Sequence, residues 1–455
     1  RGATVRRVLV ITGDPIGPKM AGPAIRAWNM AQLLAIDNEV ALMTTTLLEP
    51  VDASFELHRV KPGEDAVFAR LLAWADVIVF QGHAMAQFDA LRTTEKVVVA
   101  DIYDPMHLEM LEQGRELGRA TWELRVTTAT RVLNEQLALA DFFLCASERQ
   151  RLFYLGQLTT LGRVNPATYE NDPHLEQLIA VAPFGLSSTP PAHTTDVVKG
   201  VRSGVAVDDK LLIWGGGLYN WFDPLTLITA VARLAERRPA VRLLFLGTKH
   251  PGVDEMGIVR ESFDLARELG ALDTSVFFNE SWVQYADRQS WLMEADAGVS
   301  THMSHVETTF SFRTRILDYL WAGLPMVVTE GDSFAELVER EGLGVVVPAR
   351  DVAALELALE RVLFDEEFIA QTRRNVERVR ADFLWEKTLA PLVEFVANPH
   401  RAADSVGSRV DRSASGKRRK PYGLAHDIRM FWHYLRAEGP SRALGRVTSR
   451  FSRSR

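Results

Sequence analysis

The sequence predicts an α/β protein built from two doubly wound, Rossmann-like domains facing one another across a cleft. Three observations predict it. Short β-branched runs alternate with helical patterns over most of residues 5–396. A glycine-rich turn follows the first strand of each half, and a Ser/Thr/Pro-rich stretch at 185–207 separates the two series. At 455 residues, 47% hydrophobic and 24% charged, the chain has material for two buried cores and an appendage, and no short period suggests a solenoid.

In chain order, 7–11 reads as a buried first strand. The turn Gly13-Asp-Pro-Ile-Gly-Pro-Lys-Met-Ala-Gly22 follows it, and Pro23 sits well in the first turn of a helix presenting Ile25, Trp28 and Leu33. Strands are expected at 77–80, 97–100, 142–145 and 179–181, which closes a first domain near Phe184. The second series is 211–214, 241–246, 276–278, 297–300, 326–329 and 345–347, with helices at 224–236, 313–322 and 352–363 and more to about Val396. The boundaries expected are 1–184, a linker at 185–209, 210–397, and a tail at 398–455.

Charge divides the chain unevenly. Residues 401–455 hold 14 Lys+Arg against 4 Asp+Glu, a net of +10, so the formal −7 of the whole leaves −17 on residues 1–400. An acidic body argues against nucleic acid as a partner. The tail carries Lys417-Arg-Arg-Lys420, and 424–437 has Ile428, Phe431, Trp432 and Leu435 on one helical face flanked by Arg429 and Arg436. Aromatics beside arginines on one amphipathic helix fit an anionic membrane surface, so 417–455 is expected to bind one; docking on the acidic body and a solvated tail are the alternatives. No run approaches the roughly 18 apolar residues of a membrane span, the first strand is too short to be a signal peptide, and the single cysteine, Cys145, excludes an internal disulfide framework. A reducing, cytoplasmic setting follows.

Two segments carry the chemistry. In Leu211-Leu-Ile-Trp-Gly-Gly-Gly-Leu-Tyr-Asn-Trp-Phe-Asp-Pro, a strand runs into Gly215, Gly216 and Gly217 before a helix that Asp223 caps. Such a turn lets backbone N–H groups approach a phosphate, while its spacing does not match a nicotinamide fingerprint. In Phe310-Ser-Phe-Arg-Thr-Arg-Ile-Leu-Asp-Tyr-Leu-Trp-Ala-Gly-Leu-Pro, Ser311 is positioned to cap a helix on which Arg315 and Asp318 share a face. Arg313 and Arg315 at the positive end of that helix call for an anion, unless Arg315 and Asp318 simply form an exposed ion pair.

The helix, Ala322-Gly-Leu-Pro325 and strand, after a strand with a glycine turn, resemble the donor-binding domain of GT-B glycosyltransferases, and among these the retaining family-4 enzymes, glycosyl transferases group 1. The resemblance covers about 210–395 and, more weakly, 5–184. It implies a donor domain at 210–397, an acceptor domain at 1–184, and transfer of a sugar from a nucleotide sugar with retention; no D-x-D-type motif stands on a strand end, so no metal is expected, nor any other cofactor. It further implies that Asp318 holds the nucleotide ribose, with Asp for the family's usual Glu. The family's sugar-contacting Glu is Phe310 here, so Glu307 is the substitute and Phe312 a neighbour. The usual Arg and Lys after the first donor-domain strand are missing, so Arg313, Arg315 and Lys249 are expected to supply positive charge, and Arg313→Ala to abolish transfer without harm to folding. Trp282 and Val283 are expected against the base.

On the acceptor side the loop Gly17, Lys19, Gly22 resembles the family's glycine loop. Asp101 occupies roughly the place of its functional His, with Asp104, His107 and His83 as competitors. The acceptor implied is a glycan or polyprenyl-linked saccharide, in cell-surface polysaccharide synthesis on the inner face of the plasma membrane. The rivals are a sugar-nucleotide epimerase and a non-catalytic GT-B-like scaffold.

Overall fold

The computed structural model describes residues 4–248 and 256–405; Lys249 and the basic tail from 417 onward lie outside the described residues. The strands are β1 (Arg7–Thr12), β2 (Glu39–Thr44), β3 (Glu56–Arg59), β4 (Val77–Gln81), β5 (Val97–Asp101), β6 (Phe142–Cys145) and β7 (Ile179–Val181), then β8 (Lys210–Trp214), β9 (Val241–Phe245), β10 (Val276–Phe278), β11 (Ala297–Ser300), β12 (Met326–Thr329) and β13 (Gly344–Val347). The first seven form one parallel sheet ordered β3-β2-β1-β4-β5-β6-β7, and the last six another ordered β10-β9-β8-β11-β12-β13.

Parallel strands covered on both faces are largely apolar, and the inner strands here are, whereas the edge strand β3 is polar and half exposed. Along β1, Val8 and Val10 enter one core while Leu9 and Ile11 enter the core on the other face, all fully buried. The second sheet divides Leu212 from Ile213 in the same way. In each sheet the order in which strands are added reverses beside the first strand, between β1 and β4 and between β8 and β11. Ligands of open α/β sheets bind at such switch points, outside the strand C-termini. Both glycine turns leave from those ends.

The donor-side boundary at 397 needs correction, because the chain returns to the N-terminal domain before it. Leu186 N–H donates to Phe383 O (2.8 Å) and Trp385 N–H to Leu186 O (3.1 Å). A Cβ on Gly185 would lie 2.7 Å from Trp385 Cα, so the crossing requires glycine. Beyond it, Phe395 of the helix Ala390–Ala397 stacks on Phe142 of β6 at 4.2 Å. Arg401 meets Asp141 at 3.0 Å, and Asp404 meets the buried Arg163 at 2.7 Å.

Candidate functional site

A cavity of about 410 Å³ lies between the two domains at the strand C-termini. Its C-terminal wall begins at the turn after β8, where Gly216 holds φ +126°, a conformation that favours glycine. The buried Tyr319 hydroxyl fixes this turn: it accepts Gly215 N–H (2.9 Å) and lies 2.7 Å from Val299 O at the end of β11. The Gly215 amide is thereby occupied within the protein. The helix Pro224–Arg237 follows, and Asp223 caps it by accepting Thr226 N–H at 3.0 Å.

Helix Arg315–Ala322 presents Arg315 and Asp318 to the cavity, but without the expected Ser311 cap: Ser311 Oγ donates to Thr308 O, and Thr314 is the N-cap residue with no side-chain bond. Nor do Arg315 and Asp318 pair in solvent. Arg315 is 7% exposed, with its guanidinium 4.0 Å from the Phe222 ring centroid and 4.2 Å from that of Trp214. One nitrogen, Nη2, donates to Gly217 O at 3.1 Å, while the buried Nη1 has no hydrogen-bond partner among the described residues. Burial lowers its pKa to about 10.

Arg313 is also buried, forked onto Glu307 at 3.0 and 2.8 Å. Glu307 on the short helix Val306–Phe310 and Arg313 in the turn that follows it form a bidentate, charge-assisted pair lining the cavity. Phe312 lines the same wall and stacks against Phe184 at 5.7 Å. Phe310 does not: its ring packs on Phe153 of the N-terminal domain, centroids 4.5 Å apart. Trp282 and Val283 line the far end, Trp282 lying so close to Gly247 that a Cβ there would approach it to 3.1 Å.

The N-terminal wall is acidic. Asp14, Asp104 and Glu109 reach the cavity from the ends of β1 and β5. Burial pushes Asp14 up to about 6. Burial, then repulsion from Asp104, drives Glu109 well above the ordinary carboxylate range; burial also raises Asp104.

The sequence reading therefore divides. Asp104, Gly22, Gly215, Gly216, Gly217, Trp282, Val283, Glu307, Phe312, Arg313, Arg315 and Asp318 converge on one cavity. Asp101 does not line it: both carboxylate oxygens are held by Arg26, at 2.7 and 2.8 Å, in a fully buried pair that Gln81 completes. His107 also lies outside the lining, stacked on Phe153 at 5.6 Å with Gln157 3.3 Å away. Gly17 backs onto Glu49 and Lys19 is exposed, so this loop reaches the cavity only through its end at Met20–Pro23. His83 is absent from the lining too. Missed were Asp14, Glu109, Tyr219 and Arg288. Glu109 and Tyr219 lie within segments singled out for chemistry, and Asp14 in the first glycine turn, whereas nothing in the sequence around Arg288 marks it.

Residues 209–365 match the family described as glycosyl transferases group 1. No curated protein sequence matches the chain. Among solved structures the chain is similar to sucrose-phosphate synthase from Thermosynechococcus elongatus, with TM-score 0.63, 16% identity, and 86% of this chain and 98% of that one covered. It is also similar to WaaG, a glycosyltransferase involved in lipopolysaccharide biosynthesis (TM-score 0.59, 16% identity, 86% and 100% covered). A third is Anabaena HepE solved with UDP-glucose (0.61, 17%, 86% and 99%). The fold is GT-B.

Proposed function

From a GT-B chain whose second domain carries the group 1 glycosyl transferase match, we propose a retaining transferase that moves a sugar from a nucleotide sugar to a saccharide or lipid-linked acceptor without a metal. The observation that carries this reading is Arg315: a buried guanidinium that, among the described residues, has no carboxylate partner and keeps a free N–H, beside the Gly216–Gly217 turn and lining the cavity. A buried cation left so is costly unless an anion completes it. A diphosphate supplies that anion. HepE was solved with UDP and UDP-glucose, and an E. coli trehalose-6-phosphate protein with UDP-2-fluoro glucose, which supports a nucleoside diphosphate as the leaving group.

In this reading the acceptor hydroxyl attacks the anomeric carbon on the face from which the diphosphate departs. The new C–O bond forms as the bond to the phosphate oxygen breaks, and the departing phosphate takes the hydroxyl proton. Arg315 and the Gly216 and Gly217 amides stabilise the charge that develops on the diphosphate. Asp318 holds the ribose, Trp282 lies against the base, and Glu307, oriented by Arg313, contacts the sugar. The acidic N-terminal wall receives the acceptor. The product belongs to cell-surface glycan synthesis, with the basic tail at 417–455 holding the protein to the cytoplasmic membrane face.

The test is thermal stability of the full chain against UDP, GDP, dTDP and their sugars, with NAD as control. A ligand at a hundred times its Kd adds about 2.7 kcal/mol, worth several degrees at roughly 2–4 °C per kcal/mol. A selective shift identifies the base. No shift with any nucleotide replaces this reading with a non-catalytic scaffold.

A further inference from the structure

Gln150 bonds to both walls of the cavity at once. It lies in the first turn of the helix Glu148–Thr160, after the N-cap Ser147, and is fully buried. Its Nε2 donates to Tyr103 O and to Phe310 O, each at 2.8 Å. Its Oε1 accepts Ala146 N–H at 2.7 Å, so the side chain cannot swing without losing a third bond. Tyr103 precedes Asp104 on the acceptor-side wall. Phe310 ends the short helix Val306–Phe310 that carries Glu307.

Two neighbours reinforce the connection. Arg149 Nη1 donates to Gly331 O (2.7 Å) and Thr309 O (3.3 Å), and Nη2 pairs with Glu336, all in the C-terminal domain. The Phe310 ring packs on Phe153, one turn further along the same N-terminal helix. Position 310, where the resemblance leads one to expect a sugar contact, is thus spent on joining the domains.

We infer that Gln150 is a positioning residue that sets the gap between the wall bearing Asp104 and Glu109 and the helix bearing Glu307. This rests on the transferase reading above. A donor held by one domain and an acceptor held by the other react only at a fixed separation, and a displacement of about 1 Å costs roughly 100-fold in rate. An amide is suited to the task because its two hydrogens divide between two carbonyls while its oxygen anchors the group. Loss of both donors leaves two part-buried carbonyls without this partner and favours separation of the walls.

The experiment uses the full chain and Gln150→Glu, which keeps the shape and the acceptor for Ala146 but sets an oxygen against both carbonyls. Three quantities are compared with wild type: binding of UDP, GDP and dTDP, turnover of the matching sugar nucleotide, and the radius of gyration by small-angle scattering. Nucleotide affinity within about twofold, kcat reduced at least about tenfold and a larger radius of gyration support the inference. Arg149→Ala, at a half-exposed site, shifts kcat and radius in the same direction by a smaller factor. Wild-type kcat and scattering in Gln150→Glu overturn it. So does nucleotide affinity falling in step with kcat, which makes Gln150 merely structural. If Gln150→Glu does not fold, unchanged kcat and scattering in Arg149→Ala overturn it instead. A wild-type chain that binds no nucleotide defeats the transferase reading, while the scattering comparison still decides whether Gln150 and Arg149 hold the walls together.

Discussion

Asp318 lies 3.2 Å from Arg288 and leaves Arg315, three residues before it on the same helix, without a carboxylate among the described residues. Arg288 is itself stacked on Tyr285 (3.7 Å) and Trp321 (4.5 Å), so it is committed to Asp318 by packing as well as charge. Helix Arg315–Ala322 consequently brings to the cavity one carboxylate already paired, Asp318, and one cation, Arg315, with no carboxylate beside it among the described residues.

Arg315→Met should separate ligand binding from stability. The thioether chain packs between Trp214 and Phe222, and removing a buried unpaired charge offsets the lost bond to Gly217 O. We expect the ligand-free melting temperature to stay within about 3 °C of wild type, and nucleotide affinity to fall by at least about 30-fold, as loss of a charged hydrogen bond of roughly 2 kcal/mol implies. Isothermal titration reads the second quantity; unaltered affinity would remove Arg315 from the donor site.

Arg313→Ala will not leave folding intact, contrary to the expectation from sequence. It strands Glu307, 4% exposed, without its forked partner. Breaking one member of a buried pair costs about 3–5 kcal/mol. Thermal melts of Arg313→Ala, Glu307→Ala and the double variant form a cycle in which the double recovers part of the single loss, with turnover absent throughout. Additive losses would contradict the pairing.

The pH dependence of Asp14 has a definite sign. Its pKa is raised from 3.8 to about 6, so the folded chain binds this proton more tightly than the unfolded chain. The stability it contributes is present below about pH 4 and is lost as pH rises through about 6. Asp14→Asn should therefore melt above wild type at pH 7.5, and the difference should close by about pH 4. A difference independent of pH would show that the Asp14 charge is not the cause.

A chain ending at residue 397 should melt below one ending at 405. The shorter chain leaves Arg163, 3% exposed, without Asp404, and Asp141 without Arg401. Equal melting temperatures would mean that these pairs do no more than occupy the surface.

Deleting 406–455 should abolish sedimentation with vesicles containing anionic lipid and leave nucleotide-induced stabilisation unchanged. Sedimentation that survives the deletion would assign membrane attachment to the body.

Legibility in the sequence followed burial. Strands such as β1, β4 and β12 announce themselves because both faces are apolar. The outer pair, β2 and β3, went unread: Glu56-Leu-His-Arg59 is half exposed and polar, while Glu39–Thr44 is as buried as β1 but lacks its β-branched run. The donor-side motif was readable because glycine spacing and helix-end charge are local properties. Asp101 misled because a strand-end carboxylate looks the same whether it faces a ligand or a buried arginine; only the fold brings Arg26 to it. The Arg288–Asp318 pair joins residues thirty apart through tertiary packing, which no spacing rule encodes.

The return of the chain has a consequence for biosynthesis. The first sheet is complete once β7 leaves the ribosome, yet the helix bearing Phe395 and the carboxylate of Asp404 follow more than 200 residues later. At about 5–20 residues per second, the face of Phe142 and the Arg163 guanidinium wait roughly ten to forty seconds for their cover. During that interval the nascent N-terminal domain presents an open apolar strip beside an unneutralised cation, a surface that a ribosome-associated chaperone is suited to shield until Phe395 and Asp404 have been made.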